Sequence, residues 1–131
     1  MQTTYKLTIP GEFPSLNQFI NACRTKPILG NKMKQESQRY ITLFLAQQLK
    51  GVRIEQPISI DYKFYCKSRK RDLDNISSYF HKVLQDSLVD YGTIKNDGWN
   101  NITGFSDSFF IDKVNPRVEI SINLNKNIQK V

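Results

Sequence analysis

Residues 67–75 read Lys67-Ser68-Arg69-Lys70-Arg71-Asp72-Leu73-Asp74-Asn75, four cations running directly into two carboxylates one residue apart. In extended backbone, side chains at i and i+2 point to the same face, so Asp72 and Asp74 are expected to converge. Converging carboxylates repel unless a cation lies between them. A hard, oxygen-seeking ion such as Mg²⁺ fits, since it is held by one or two carboxylates plus water and substrate phosphate. Lys67, Arg69, Lys70 and Arg71 would then grip the phosphodiester on which the ion acts. The plain alternative is a helix N-cap, in which an Asp satisfies free backbone N–H groups and suits the helix dipole. That alternative explains one aspartate and leaves the second without a role.

A third carboxylate stands in the turn Lys95-Asn96-Asp97-Gly98-Trp99. Asp97 joins the first two only if residues 91–96 run back along a helix that is about 24 Å long. Otherwise it is an ordinary turn residue before glycine. Arg24, Lys26, Lys32 and Lys34 offer further phosphate contacts, or else form a solvated face. Trp99, Phe105, Phe109 and Phe110 suit stacking on unpaired bases, but at strand spacing they more often serve a core or a dimer contact. His81, the single histidine, is expected to pack at the helix surface.

These residues need elements to position them. Alternation predicts strands over 3–9, 58–66, 102–111 and 117–124, the first stopped by Pro10-Gly11. Helical periodicity predicts a helix over 33–49, with Tyr40, Leu43 and Phe44 near one face. A second is predicted over 73–89, with Ile76, Phe80, Val83, Leu84 and Leu88 as its apolar stripe. Residues 12–32, rich in Pro, Asn and Gly, read as a loop, and 125–131 as a frayed tail. Strands and helices mix without a regular βαβ rhythm, which favours an α+β fold: a small mixed sheet with two main helices.

Composition bounds the function. The 131 residues make one domain, and a hydrophobic fraction of 39% supports a real core. Nineteen Lys and Arg against twelve Asp and Glu give a net charge of +7, which suits a polyanionic partner. No run approaches a membrane span, and residues 1–10 lack a charged start followed by an apolar stretch. Two distant cysteines, Cys23 and Cys66, form no metal knuckle. A cytoplasmic protein with reduced thiols and no membrane partner is expected.

The Asp72-Leu73-Asp74-Asn75 motif after a basic run, then an amphipathic helix, then an acidic turn at Asn96-Asp97, resembles the RusA family of Holliday-junction resolvases. The stretch from Ile9-Pro10-Gly11 through Pro14-Ser15-Leu16-Asn17 is similar to that family's opening strand and loop. The resemblance covers roughly residues 7–124. It implies a homodimeric α+β nuclease that cuts four-way DNA junctions symmetrically, with Mg²⁺ or Mn²⁺ held by Asp72, Asp74 and Asp97. DNA would be gripped by Lys67, Arg69, Lys70 and Arg71, with Asn17, Arg24, Lys26 and Lys32 on its arms. The family commonly has two acids in the second turn, where this chain has Asn96 first. It also often has a lysine one turn after the second aspartate, where this chain has Ser78. Lys82 is the nearest helical candidate for that catalytic cation, although Asp86 at i+4 offers it a plain surface pair. The alternatives are a nuclease for flaps or forks, and a DNA-binding module without catalysis.

Overall fold

The computed structural model describes residues 3–125. Strand β1 (Thr4–Pro10) leads into helices α1 (Leu16–Thr25) and α2 (Pro27–Gln48). Strand β2 (Ile58–Cys66), helix α3 (Leu73–Tyr91), strand β3 (Ile102–Ile111) and strand β4 (Arg117–Leu124) follow. The last three strands lie where alternation places them. Buried Ile58, Ile60, Tyr62, Phe64 and Cys66 alternate with more exposed residues along β2, as a strand with one covered face requires. The sheet is mixed, in the order β1-β4-β2-β3. Strand β4 runs antiparallel to both neighbours, while β3 runs parallel to β2 because α3 carries the chain back between them. The fold is therefore α+β. Among the described residues no helix is long and apolar enough to cross a membrane.

A third helix occupies part of the segment read as loop. Ser15 starts α1 with a capping box: its hydroxyl accepts the Gln18 N–H at 3.2 Å, and the Gln18 side chain accepts the Ser15 N–H at 2.8 Å. Pro27 then opens α2 at a position where its missing N–H costs nothing. The second helix thus begins six residues before the expected Met33. Its buried positions are Gly30, Ser37, Ile41 and Leu45, whereas Leu43 is exposed, so the covered stripe lies beside the expected one. Asn125, assigned to the frayed tail, is anchored: its N–H donates to the Pro57 carbonyl at 2.9 Å. The rest of that tail lies outside the described residues.

The core lies between the helices and one face of the sheet, with Leu7, Ile9, Ile60, Tyr62, Ile120 and Ile122 meeting Ile41, Leu45, Phe80 and Leu84. Helix α3 ends on Gly92, whose φ of 94° lets its N–H reach back to Leu88 and Val89. Helices α1 and α2 meet where Gly30 backs onto Cys23, and a Cβ at Gly30 would overlap Cys23 Sγ. Replacing Gly30 by Ala is therefore expected to destabilise the protein by about 1–3 kcal/mol through overpacking, despite the better helix propensity of alanine. Denaturant unfolding of G30A, beside the double variant G30A/C23A, checks this. The second change removes the clash and should recover most of the loss; equal loss in both would refute the close approach.

Candidate active site

The basic run occupies residues 67–71, between the end of β2 and the N-cap of α3. It is fastened by a residue whose lone position carried no recognisable signal. Glu12, on the loop after β1, accepts the Lys67 backbone N–H at 2.9 Å and stands 3.7 Å from the Arg71 guanidinium. Arg71 also donates to the Phe13 carbonyl at 2.7 Å. The structure thus turns Arg71 inward as a strap between the β1–α1 loop and the α3 N-terminus, away from the DNA-gripping place assigned to it. Lys67, Arg69 and Lys70 remain exposed.

Asp72 takes the N-cap position of α3 with extended backbone, φ −67° and ψ 149°, yet its side chain caps nothing. Asp74 lies in the first helical turn. Both are exposed, and among the described residues neither carboxylate takes a hydrogen bond or an ion pair. The capping alternative is thereby removed for the Asp72 side chain. The expected geometry also changes: Asp74 is already helical, so the two aspartates share the mouth of α3 rather than one face of an extended segment. Two free carboxylates beside exposed cations fit a Mg²⁺ ion, which needs only one or two protein carboxylates when phosphate and water complete its shell.

The structure does not bring Asp97 to them within one chain. Helix α3 alone spans about 28 Å, and Asp97 follows its far end. There Ile94 bridges to Ile54, and the Asn101 carbonyl accepts the N–H of Ile58, the first residue of β2. Asp72, by contrast, follows the last residue of β2. The chain after α3 moves sideways to start β3 parallel to β2, so it has no reason to run back along the helix. Among the described residues no three His, Cys, Asp or Glu gather in a way that could hold a metal ion.

The other assigned residues scatter. Lys82 lies 3.3 Å from Asp86, the plain i+4 pair, about 12 Å along the helix axis from Asp74. Asp86 also holds Lys34 at 2.9 Å. Partial burial opposes its charge, but these two lysines prevail and keep its carboxyl below the usual range. Asn17 is exposed in the first turn of α1, and Arg24 and Lys26 are exposed at the α1–α2 junction. Lys32 borders the groove between α2 and the β1–α1 loop. His81 packs as expected, its ring 4.5 Å from those of both Tyr62 and Phe105 and its Nε2 2.7 Å from Asp107.

A cleft of about 570 Å³ opens beside the α3 N-terminus. Ser68, Arg69, Arg71 and Asp72 form its polar side, and Leu73, Ile76, Phe109, Phe110 and Ile111 its apolar side. Cys66 also lines it, but burial and then Glu12 push its thiol pKa up, which keeps it protonated and a poor nucleophile.

The protein-family model described as endodeoxyribonuclease RusA matches residues 10–123. The chain belongs to the RusA family of endodeoxyribonucleases. The match runs from the last residue of β1 almost to the end of β4, so it takes in the basic run, both aspartates at the α3 N-terminus and Asp97. Family membership makes the chain a DNA endonuclease, and it agrees with the phosphodiester chemistry that Asp72, Asp74 and the neighbouring cations suit. No curated protein matches the chain.

Proposed function

We propose that the protein is a divalent-metal-dependent endonuclease that nicks four-way DNA junctions in pairs, acting as a homodimer. The observation that carries this reading is the pair of unengaged carboxylates at the α3 N-terminus, inside the matched region and next to three exposed cations. The positive end of a helix favours carboxylates by only about 0.3–1 kcal/mol each, whereas a metal site requires both of them unencumbered. Asp72 and Asp74 would hold Mg²⁺ or Mn²⁺, with Asp97 as the third carboxylate. When bound, the ion lowers the pKa of a water and neutralises charge on the scissile phosphate.

The chain's own residues do the rest. Lys67, Arg69 and Lys70 face outward and attract the DNA backbone, releasing counterions as they do so. The positive end of α3 adds a fixed dipole to the same place. Arg71 acts as a positioning residue, since its bonds to Glu12 and Phe13 fix the segment that presents the aspartates. A twofold dimer would place two such sites on a twofold substrate, so that opposed strands are cut at equivalent positions.

Purified protein incubated with a labelled four-way junction, a flap and a linear duplex tests the reading. The expected result is cleavage with Mg²⁺ or Mn²⁺ and none with EDTA, the junction cut fastest and at symmetric positions. Equal cutting of flap and junction would move the substrate to branched DNA in general. Metal-dependent binding without any product would reduce the chain to a binding module.

A further inference from the structure

The face of the sheet turned away from the helices carries a row of stacked side chains that ends at the cleft beside Asp72. Arg117, Tyr65 and Phe110 are cross-strand neighbours on β4, β2 and β3. The Arg117 guanidinium lies 3.8 Å from the centre of the Tyr65 ring. Tyr65 in turn stacks on Phe110, with centroids 4.9 Å apart and ring planes 20° from parallel. Arg117 is itself pinned, 2.9 Å from Asp112 and 2.8 Å from Glu119, which neutralises its charge within the fold and holds Tyr65 in place. Strand β3 is an edge of the sheet, so the row stops at Phe110, 43% exposed. Phe110 lines the cleft together with Leu73 and Ile111, 55% and 42% exposed, while Arg69 and Asp72 stand on its polar side. Cross-strand packing accounts for Tyr65 and Arg117. It gives no reason for a backed aromatic ring and two aliphatic side chains left open to water beside a basic run.

We propose that the cleft binds a nucleobase of the DNA substrate, unpaired at the branch and stacked on Phe110, next to the phosphate that Asp72 and Asp74 address. A nucleotide is divided as the cleft is. Its anionic phosphate matches the side bearing Arg69, and its flat, largely apolar base matches the side bearing Phe110. Stacking needs a ring face that does not yield, and the Arg117–Tyr65 backing supplies one. The exposed cations Lys67, Arg69 and Lys70 and the net charge of +7 select DNA as the occupant over an apolar peptide. Within a duplex the base must first leave its stack, a cost that falls away where bases are already unpaired. Stacking tolerates every base, so what the cleft selects is an unpaired nucleotide beside the cut. That the nucleotide comes from a branch rests on the junction reading above; the cleft and its stacked wall do not.

The test is a cycle between Phe110→Ala and junctions that carry an abasic nucleotide, placed in turn at each position around the branch. Single-turnover cleavage and binding in EDTA are both measured. Phe110→Ala on the intact junction, and the wild type on a junction abasic at the bound position, should each lose on the order of tenfold to a hundredfold. Together they should lose no more than either alone, because each removes the same contact. Phe110→Trp keeps a ring face and should retain the wild-type dependence on that base. Additive losses at every position assign Phe110 to folding or to contact with another protein chain and overturn the base site. So does a Trp variant that behaves as the Ala variant does. If no junction is cut, the junction reading fails, and the cycle measured as dissociation constants still decides whether the cleft holds a base.

Discussion

Asp74→Asn is expected to abolish junction cleavage, by a thousandfold or more, while binding persists or tightens. A thousandfold corresponds to about 4 kcal/mol of transition-state stabilisation, within reach of one lost metal ligand. The substitution is nearly isosteric and removes no hydrogen bond or ion pair seen in the fold, so the protein should remain intact. Binding depends on Lys and Arg, and removing a negative charge from their midst cannot weaken it. The competing role for Asp74 is compensation of the α3 dipole. That role would cost about 0.3–1 kcal/mol of stability and nothing in the chemical step. Single-turnover cleavage at saturating protein, beside thermal melting, separates the two: near wild-type cleavage with a lowered melting point would leave Asp74 a helix residue only.

The three later strands were legible because each buries alternate residues against one layer, and period-two alternation is a local property of the chain. Helix α1 escaped because its segment carries Pro, Asn and Gly, and because no α1 residue is fully buried to mark a stripe. Its start was nonetheless written in Ser15 and Gln18, three residues apart. The stripe of α2 was misplaced by Leu43, whose hydrophobicity says nothing about which side of the helix finds a partner. At the site, residue types were readable and distances were not. Arg71 reads as one more cation in a basic run; its bond to a backbone carbonyl 58 residues away has no trace in spacing. Asp97 was assigned to the α3 N-terminus, but the parallel pairing of β2 with β3 fixes it at the other end. Sequence order could not show that, since parallel and antiparallel returns use the same residues.

The largest stability effect is expected at Phe80, which belongs to α3 yet organises everything around the site. Its ring is wholly buried and meets Phe13 at 4.8 Å, Phe64 at 5.6 Å and Tyr62 at 5.9 Å, each edge to face. Phe80→Ala removes that filling and leaves a cavity, at about 3–5 kcal/mol. Against a total of roughly 5–15 kcal/mol, this should lower the melting temperature by about 10–25 °C. The functional consequence follows from Phe13, whose ring packs on Phe80 and whose carbonyl holds Arg71. Loosening Phe80 releases the loop that straps down the basic run, so cleavage should fall at temperatures where the variant is still folded. Phe105→Ala makes the contrast: its ring is 56% exposed and its loss should cost the monomer about 1 kcal/mol or less. Melting curves of both variants, with cleavage assayed well below each transition, provide the check. If Phe80→Ala melts within a few degrees of wild type, the ring cluster is not what fixes α3 to the sheet; if it melts early yet cleaves at full rate in the cold, Phe13 does not transmit its packing to the site.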